Sequence, residues 1–166
     1  NENKLGYLKI EIYEIITPRY FEDKKKLFCI LSSMSMIKLL TVEYQSNKKI
    51  FELIDDFNKF LDSDNWMNKL IFWELDLLKL IGYDLELKNI VKEEHSKNKK
   101  LYYVVSNNEK RYIPNFLIEK DNNIVDHELI LSGLKIISDY LEKSILRPNN
   151  ISHPKPRIEF LNTIKQ

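Results

Sequence analysis

The sequence predicts a mainly α protein, a helical bundle with one small β-hairpin insertion. Two observations carry that prediction. Beyond Pro18, apolar residues recur at helical spacing in one stretch after another, and two of these stretches close on strong helix-ending residues, Gly82 and Pro148. The pattern breaks once, at a polar stretch followed by a short β-branched and aromatic run and an Asn-Asn turn signal.

From Leu5 to Ile16 the residues Tyr7, Leu8, Ile10, Ile12, Tyr13 and Ile15 interleave with polar ones, as in a half-buried strand. No run nearby supplies several partner strands, so this is expected to be the last strand of a domain lying upstream. The chain opens on Asn1, and a fragment is expected. Pro18 ends the strand. Glu22 and Asp23 then precede a long helix to about Val42, with Leu27, Ile30, Leu31, Met34 and Ile37 at helical spacing.

A second helix, Lys48 to about Leu61, follows the cap pair Ser46-Asn47 and carries Ile50, Leu53, Ile54, Phe57 and Phe60 on one face. It is expected to pack antiparallel to the first. The third begins after Asp64, runs through Trp66, Leu70, Trp73, Leu77 and Ile81, and stops at Gly82, a residue suited to the left-handed C′ position. Its apolar positions nearly surround it, which predicts deep burial.

After Tyr83 the chain reads as irregular. Lys92 to Lys100 is almost wholly polar. Leu101 to Val105 reads as a short strand, Asn107-Asn108 as a turn, and the hairpin closes near Ile113. Helical spacing resumes from about Val125 through Leu146 with Leu129, Ile130, Leu134, Ile137, Tyr140, Leu141 and Ile145, and Pro148 closes it. Pro154 and Pro156 introduce a short last helix to about Ile164.

At 166 residues the chain fits one compact domain, or one domain plus the remnant of another. Its 43% hydrophobic and 31% charged residues are those of a chain that folds. No run approaches the roughly 18 to 20 apolar residues of a membrane helix, and no charged-then-apolar leader opens the chain, so it reads as cytoplasmic with no membrane partner. Cys29 is the single cysteine, which excludes an internal disulfide and the cysteine-rich zinc sites. With 26 Lys and Arg against 25 Asp and Glu there is no bulk attraction to nucleic acid, and any DNA binding must come from local patches.

No nucleophile-base pair, ligand cluster or glycine-rich phosphate loop is present, so the chain does not read as an enzyme; neither a metal nor another cofactor is expected. His95, His127 and His153 are scattered and suit surface or capping roles. Glu74 and Asp76 lie two apart on one helix and so point in different directions, and Glu74 suits a hydrogen bond inside the bundle.

Arg19 with Lys24, Lys25 and Lys26 forms the sharpest basic group, readable as a phosphate contact or as a solvated first turn beside Glu22 and Asp23. Lys143, Arg147, Lys155 and Arg157 form a second basic group, readable as a DNA contact or as cations at a helix C-terminus. Tyr102, Tyr103, Arg111 and Tyr112 on the hairpin can stack on single-stranded bases or serve ordinary hairpin packing.

The segment from Phe72 through Trp73, Glu74, Leu75, Asp76, Leu77, Leu78, Gly82 and Tyr83 to Asp84-Leu85-Glu86-Leu87 resembles the signature of the RecO family: aromatic-x-E-L-x-L-L-x-x-x-G-aromatic, then D-L-x-L. Tyr102-Tyr103-Val104-Val105-Ser106 resembles the family's hairpin, and Tyr140 to Pro148 its last long helix. The resemblance casts Trp73, Glu74, Leu77, Leu78, Gly82, Tyr83, Leu85 and Leu87 as structural signature residues. It implies that residues 1–17 complete a truncated N-terminal oligonucleotide-binding (OB-fold) barrel. Residues 18–166 would then be the C-terminal helical domain, with the β insertion over about 88–118. Many members of the family bind zinc through cysteines after the D-L-x-L segment; here Lys88, Asn89 and Ile90 follow, so zinc is not carried over.

What the family implies is a non-enzymatic mediator of DNA repair and homologous recombination in the bacterial cytoplasm, associated with the nucleoid. It would bind single- and double-stranded DNA, anneal complementary strands and, with RecR and RecF, help RecA replace single-strand-binding protein. The helical domain would also dock the acidic, apolar-ended tail of single-strand-binding protein. The alternative is a helical protein-interaction adaptor with no nucleic-acid role, favoured by the near-neutral charge.

Overall fold

In the computed structural model, which describes residues 15, 17–42, 46–96, 99–106, 109–121, 123 and 126–166, the first two long helices start on side-chain caps. At the head of α1 (Lys24–Leu40) the Asp23 carboxylate accepts the Lys26 backbone N–H at 3.0 Å, and at the head of α2 (Lys48–Phe60) the Asn47 side chain accepts that of Ile50 at 3.2 Å. Each cap satisfies a backbone donor that the first helical turn leaves open. The strand expected over Leu5–Ile16 lies, Ile15 apart, outside the described residues.

α3 (Trp66–Leu80) ends as its glycine predicts. Gly82 has φ of +88°, the Tyr83 N–H donates to the Leu78 carbonyl at 2.8 Å and the Gly82 N–H to the Lys79 carbonyl at 3.1 Å. This is a Schellman turn, in which only glycine adopts the left-handed position without a Cβ penalty. The chain continues through the single-turn α4 (Leu87–Ile90), strands β1 (Lys92–Ser96), β2 (Lys99–Ser106) and β3 (Glu109–Ile113), the short α5 (Asn115–Glu119), α6 (His127–Leu141) and α7 (Lys155–Ile164).

The second helix does not take the first as its main neighbour, as expected from order alone. α2 packs chiefly on α3, and α1 on α7. Aromatic contacts decide the first pairing: Phe57 and Trp73 ring centroids lie 5.2 Å apart, and the Trp73 indole N–H donates to the Leu53 carbonyl at 2.7 Å. α3 also packs on α6, where Gly133 permits the approach. A Cβ there would stand 2.9 Å from Ile71 Cδ1 and 3.3 Å from Phe116 Cζ. Phe57, Leu70, Ile71, Leu77, Leu134 and Phe160 are fully buried in the resulting core, each contributing roughly 1.5–3 kcal/mol.

The polar stretch from Lys92 to Lys100, expected to be irregular, supplies β1 and the start of β2. The sheet therefore has three antiparallel strands in the order β1-β2-β3, with Lys92 opposite Tyr103 and Tyr103 opposite Tyr112. β1 escapes periodicity because it buries no apolar face. It is held by the backbone ladder and by polar side chains, Lys100 to Glu93 at 2.8 Å among them. The helix expected to reach Leu146 is regular only to Leu141, then widens into one π-type turn, Glu142–Leu146, and tightens into a 3₁₀ turn over Arg147–Asn149. Pro148 is the physical reason: it has no N–H for the carbonyl four residues back, and its ring crowds that carbonyl.

A polar staple ties the start of α1 to the α2–α3 turn. The buried Tyr20 hydroxyl donates to Asp62 at 2.8 Å, and the Lys26 ammonium stands 3.8 Å from the same carboxylate and 5.5 Å from the Tyr20 ring centre. Burial first, then the hydrogen bond to Asp62, pushes the Tyr20 hydroxyl up to about 12. The unfolded chain loses this proton near pH 10 and the folded chain holds it. Stability from this group is therefore complete below pH 10 and declines, by at most about tenfold in the folding equilibrium per pH unit, up to pH 12. Denaturant melts across this window are expected to show a steeper alkaline decline for the natural chain than for Tyr20→Phe.

Candidate functional site

The helix α3 has two working sides. One is buried: Trp73, Glu74, Leu77 and Leu78 are nearly inaccessible and hold the bundle together. The other presents Phe72, Leu75, Asp76 and Lys79 to an open cleft of about 500 Å³. After the Gly82 turn the chain doubles back, so Asp84, Leu85, Glu86 and Leu87 form a second wall, and α5 adds Leu117 and, at its end, Lys120. The signature residues are thus divided: Trp73, Glu74, Leu77 and Leu78 lie on the buried side of α3, buried Leu85 and half-buried Leu87 line the cleft, and Tyr83 is exposed beside the Gly82 turn.

The cleft is apolar at its floor and charged at its lip. Lys79 pairs with Asp84 at 3.5 Å, while Lys88 and Lys120 are exposed at the rim. Partial desolvation raises the Asp76 carboxyl above its usual range, opposed by Lys120 and Lys79. Two of the three non-glycine residues with positive φ among the described ones, Glu86 at 41° and Lys120 at 56°, line this cleft. Such positions cost about 1–3 kcal/mol each unless their surroundings hold them. Here Asp84 accepts the Glu86 N–H at 3.1 Å, and Asn89 donates to the Glu86 carboxylate at 2.8 Å. The lip carries the exposed carboxylates of Asp76, Asp84 and Glu86 against the three lysines Lys79, Lys88 and Lys120, so charge balances there. The apolar floor can take the apolar side chains of a short peptide, with Lys88 and Lys120 as the cations nearest to hand for its carboxylates.

The predicted basic residues differ in exposure and in pairing. Arg19, Lys24 and Lys25 are exposed at the head of α1, but Lys26 is half-buried against Tyr20 and Asp62. At the other group, Lys143 is exposed, Arg147 lies 3.8 Å from Glu142, and Lys155 lies 3.8 Å from Glu159. Arg157 corrects the sequence reading outright. It is fully buried, its guanidinium forks onto the Glu74 carboxylate, with Nη2 donating to Oε2 at 2.8 Å, and Nη2 also reaches the Ser138 hydroxyl at 3.2 Å. A guanidinium shut inside the bundle cannot meet a phosphate. Glu74 does take the bundle hydrogen bond expected of it.

Of the histidines, His95 on β1 and His127 at the head of α6 are exposed, and His153 stands 3.4 Å from Glu142. Among the described residues no group of three or more His, Cys, Asp or Glu could hold a metal ion, and no helix is long and apolar enough to cross a membrane. Burial pushes the Cys29 thiol well above its usual range. Sequence reasoning missed Lys79, Lys88 and Lys120 because the cleft needs α5, too short for periodicity to detect. The available signal was Phe72 and Leu75, apolar residues on the side of α3 opposite its main core face.

A family model described as "Recombination protein O C terminal" matches residues 22–150. The chain is similar to the DNA repair protein RecO of Bartonella bacilliformis, 24% identical over 94% of this chain and 69% of that protein. It is also similar to the DNA repair protein RecO of Wolbachia pipientis subsp. Culex pipiens, 32% identical over 50% of this chain and 35% of that protein. No solved structure matches the chain.

Proposed function

The chain belongs to the recombination protein O family, matching its C-terminal region, and from that premise we propose that it serves DNA repair and homologous recombination as a mediator. With RecR and RecF it helps load RecA onto single-stranded DNA coated by single-strand-binding protein, and it promotes strand annealing, in the bacterial cytoplasm at the nucleoid. In this reading the helical region supplies partner docking and part of the DNA contact.

The observation that carries the docking half is the cleft between α3, the D-L-x-L segment and α5. Its floor of Phe72, Leu75 and Leu117 suits the apolar end of the tail of single-strand-binding protein, and Lys88 and Lys120, which share the rim with Asp76, Asp84 and Glu86, are the cations that would pair with the tail's carboxylates. Exposed Arg19, Lys24, Lys25 and Lys143, with Arg147 and Lys155, support phosphate contact without base reading. A second reading, the adaptor without nucleic acid, draws on the carboxylates that already neighbour Lys26, Arg147 and Lys155.

A fluorescent peptide of the cognate tail, titrated at low and moderate salt beside a scrambled control, tests the docking half. Saturable, sequence-dependent binding is expected, weakened about tenfold by the double variant Lys88→Glu, Lys120→Glu, since each rim cation contributes up to about 1 kcal/mol. A folded chain that ignores the peptide would count against the cleft. DNA binding that falls steeply with salt supports the mediator, and none at low salt supports the adaptor.

A further inference from the structure

The sheet has two unlike faces. One turns to the helices: Tyr102 and Ile113 are buried, and Arg111 on the same face reaches Asp139 of α6 at 3.1 Å. The alternation of strands puts Tyr103 and Val105 of β2, Tyr112 and Lys110 of β3, and Lys92 and Glu94 of β1 on the other face. There Tyr112 is 51% and Val105 52% exposed. The Tyr103 and Tyr112 rings meet at 6.3 Å, and the Lys110 ammonium lies 4.4 Å from the centre of the Tyr103 ring. Glu94 organises the group. Its carboxylate accepts the Tyr112 hydroxyl at 2.7 Å and pairs with Lys110.

Charge is divided just as unevenly. From Lys92 to Ile113 the sequence has six Lys and Arg against three Asp and Glu, whereas the rest of the chain has 20 against 22. The positive charge of this protein therefore resides in the sheet segment, and everything else is slightly acidic. Of these cations Lys100 and Arg111 lie on the helix-facing side, paired with Glu93 and Asp139, and the described side chains of the outward face include Lys92 and Lys110 against Glu94. Cations beside open aromatic rings are the combination that binds single strands, because every base offers a π-face and every phosphate a negative charge.

We propose that the outward face of the sheet is a stacking platform for single-stranded nucleic acid, with Tyr112 and Tyr103 under successive bases and Lys92 and Lys110 on the intervening phosphates. Tyr112 is the open ring. Tyr103 receives its base when Lys110, a long and half-exposed side chain, swings from the ring to a phosphate. In a duplex the base pairs stack on one another and cover the base faces that the tyrosines need, so the platform discriminates against duplex. This site rests on the mediator reading above and gives the helical region its own grip on the strand that a mediator must handle.

The test is fluorescence anisotropy of a labelled oligothymidylate with the intact chain, beside a duplex of equal length and with polyglutamate as competitor. The double variant Tyr103→Ala, Tyr112→Ala is expected to lose about tenfold in single-strand affinity per ring, with duplex affinity unchanged. Tyr103→Phe, Tyr112→Phe keeps both rings and is expected to bind as the natural chain does, and Tyr112→Ala alone serves if the double variant fails to fold. Natural affinity in the alanine variant overturns the platform and leaves the mediator reading standing, with DNA held elsewhere. Equal competition by polyglutamate also overturns it, showing charge without stacking. No single-strand binding by the natural chain overturns both the platform and the proposed DNA contact.

Discussion

Arg157→Ala is expected to lower stability by about 3–5 kcal/mol, because it leaves the Glu74 carboxylate buried with no cation. Glu74 is 4% exposed and Arg157 is inaccessible, so water cannot replace the lost partner without opening the bundle between α3 and α7. Natural domains have only about 5–15 kcal/mol in total, so the variant should melt well below the natural chain or fail to accumulate folded. Urea titration followed by circular dichroism measures it, and a loss under 1 kcal/mol would refute the assignment. The companion is the apolar double replacement Glu74→Leu, Arg157→Met. Removing both charges also removes their desolvation cost, so most of the lost stability should return. The double-mutant cycle then isolates the coupling of the pair from the cost of stranding either member.

Trp73→Ala is expected to cost a comparable 3–5 kcal/mol, the usual range for emptying a large aromatic site in a core. The indole is 3% exposed, packs against Phe57 and donates to the Leu53 carbonyl, so one side chain fixes both the distance and the axial register of α2 on α3. Trp73→Phe separates the two contributions. It retains most of the ring contact and loses only the hydrogen bond, for which about 1 kcal/mol is expected. Denaturant midpoints of the two variants provide the comparison; equal losses would mean that the hydrogen bond, not the packing, holds α2. Because Phe72 and Leu75 of the cleft flank Trp73 on α3, Trp73→Ala should also weaken tail-peptide binding in whatever fraction remains folded.

The main helices were legible in the sequence because each long amphipathic stretch repeats its apolar residues every three or four positions, and because Asp23, Asn47 and Gly82 mark ends through local hydrogen-bond and φ requirements. Gly82 and the D-L-x-L segment were also visible as a motif, and they do shape the cleft. β1, α4 and α5 were not visible. The two helices are single turns, and β1 has mainly exposed polar side chains, so none imposes a period on its residues.

Arg157 shows where local reading ends. Beside Lys155, in a proline-flanked turn, its charge reads as surface; only the docking of α7 brings it onto a carboxylate 83 residues away. The same holds for the tyrosines of the sheet. Alternation along β2 says that Tyr102 and Tyr103 face opposite ways, but which of them meets water depends on the side the helices cover, and the helices cover Tyr102. Helix type, caps and turns follow from residues within a few positions of one another, and the order of residues carries them. Burial, the pairing of charges and the identity of the open face depend on contacts between distant segments, and those exist only once the bundle has closed.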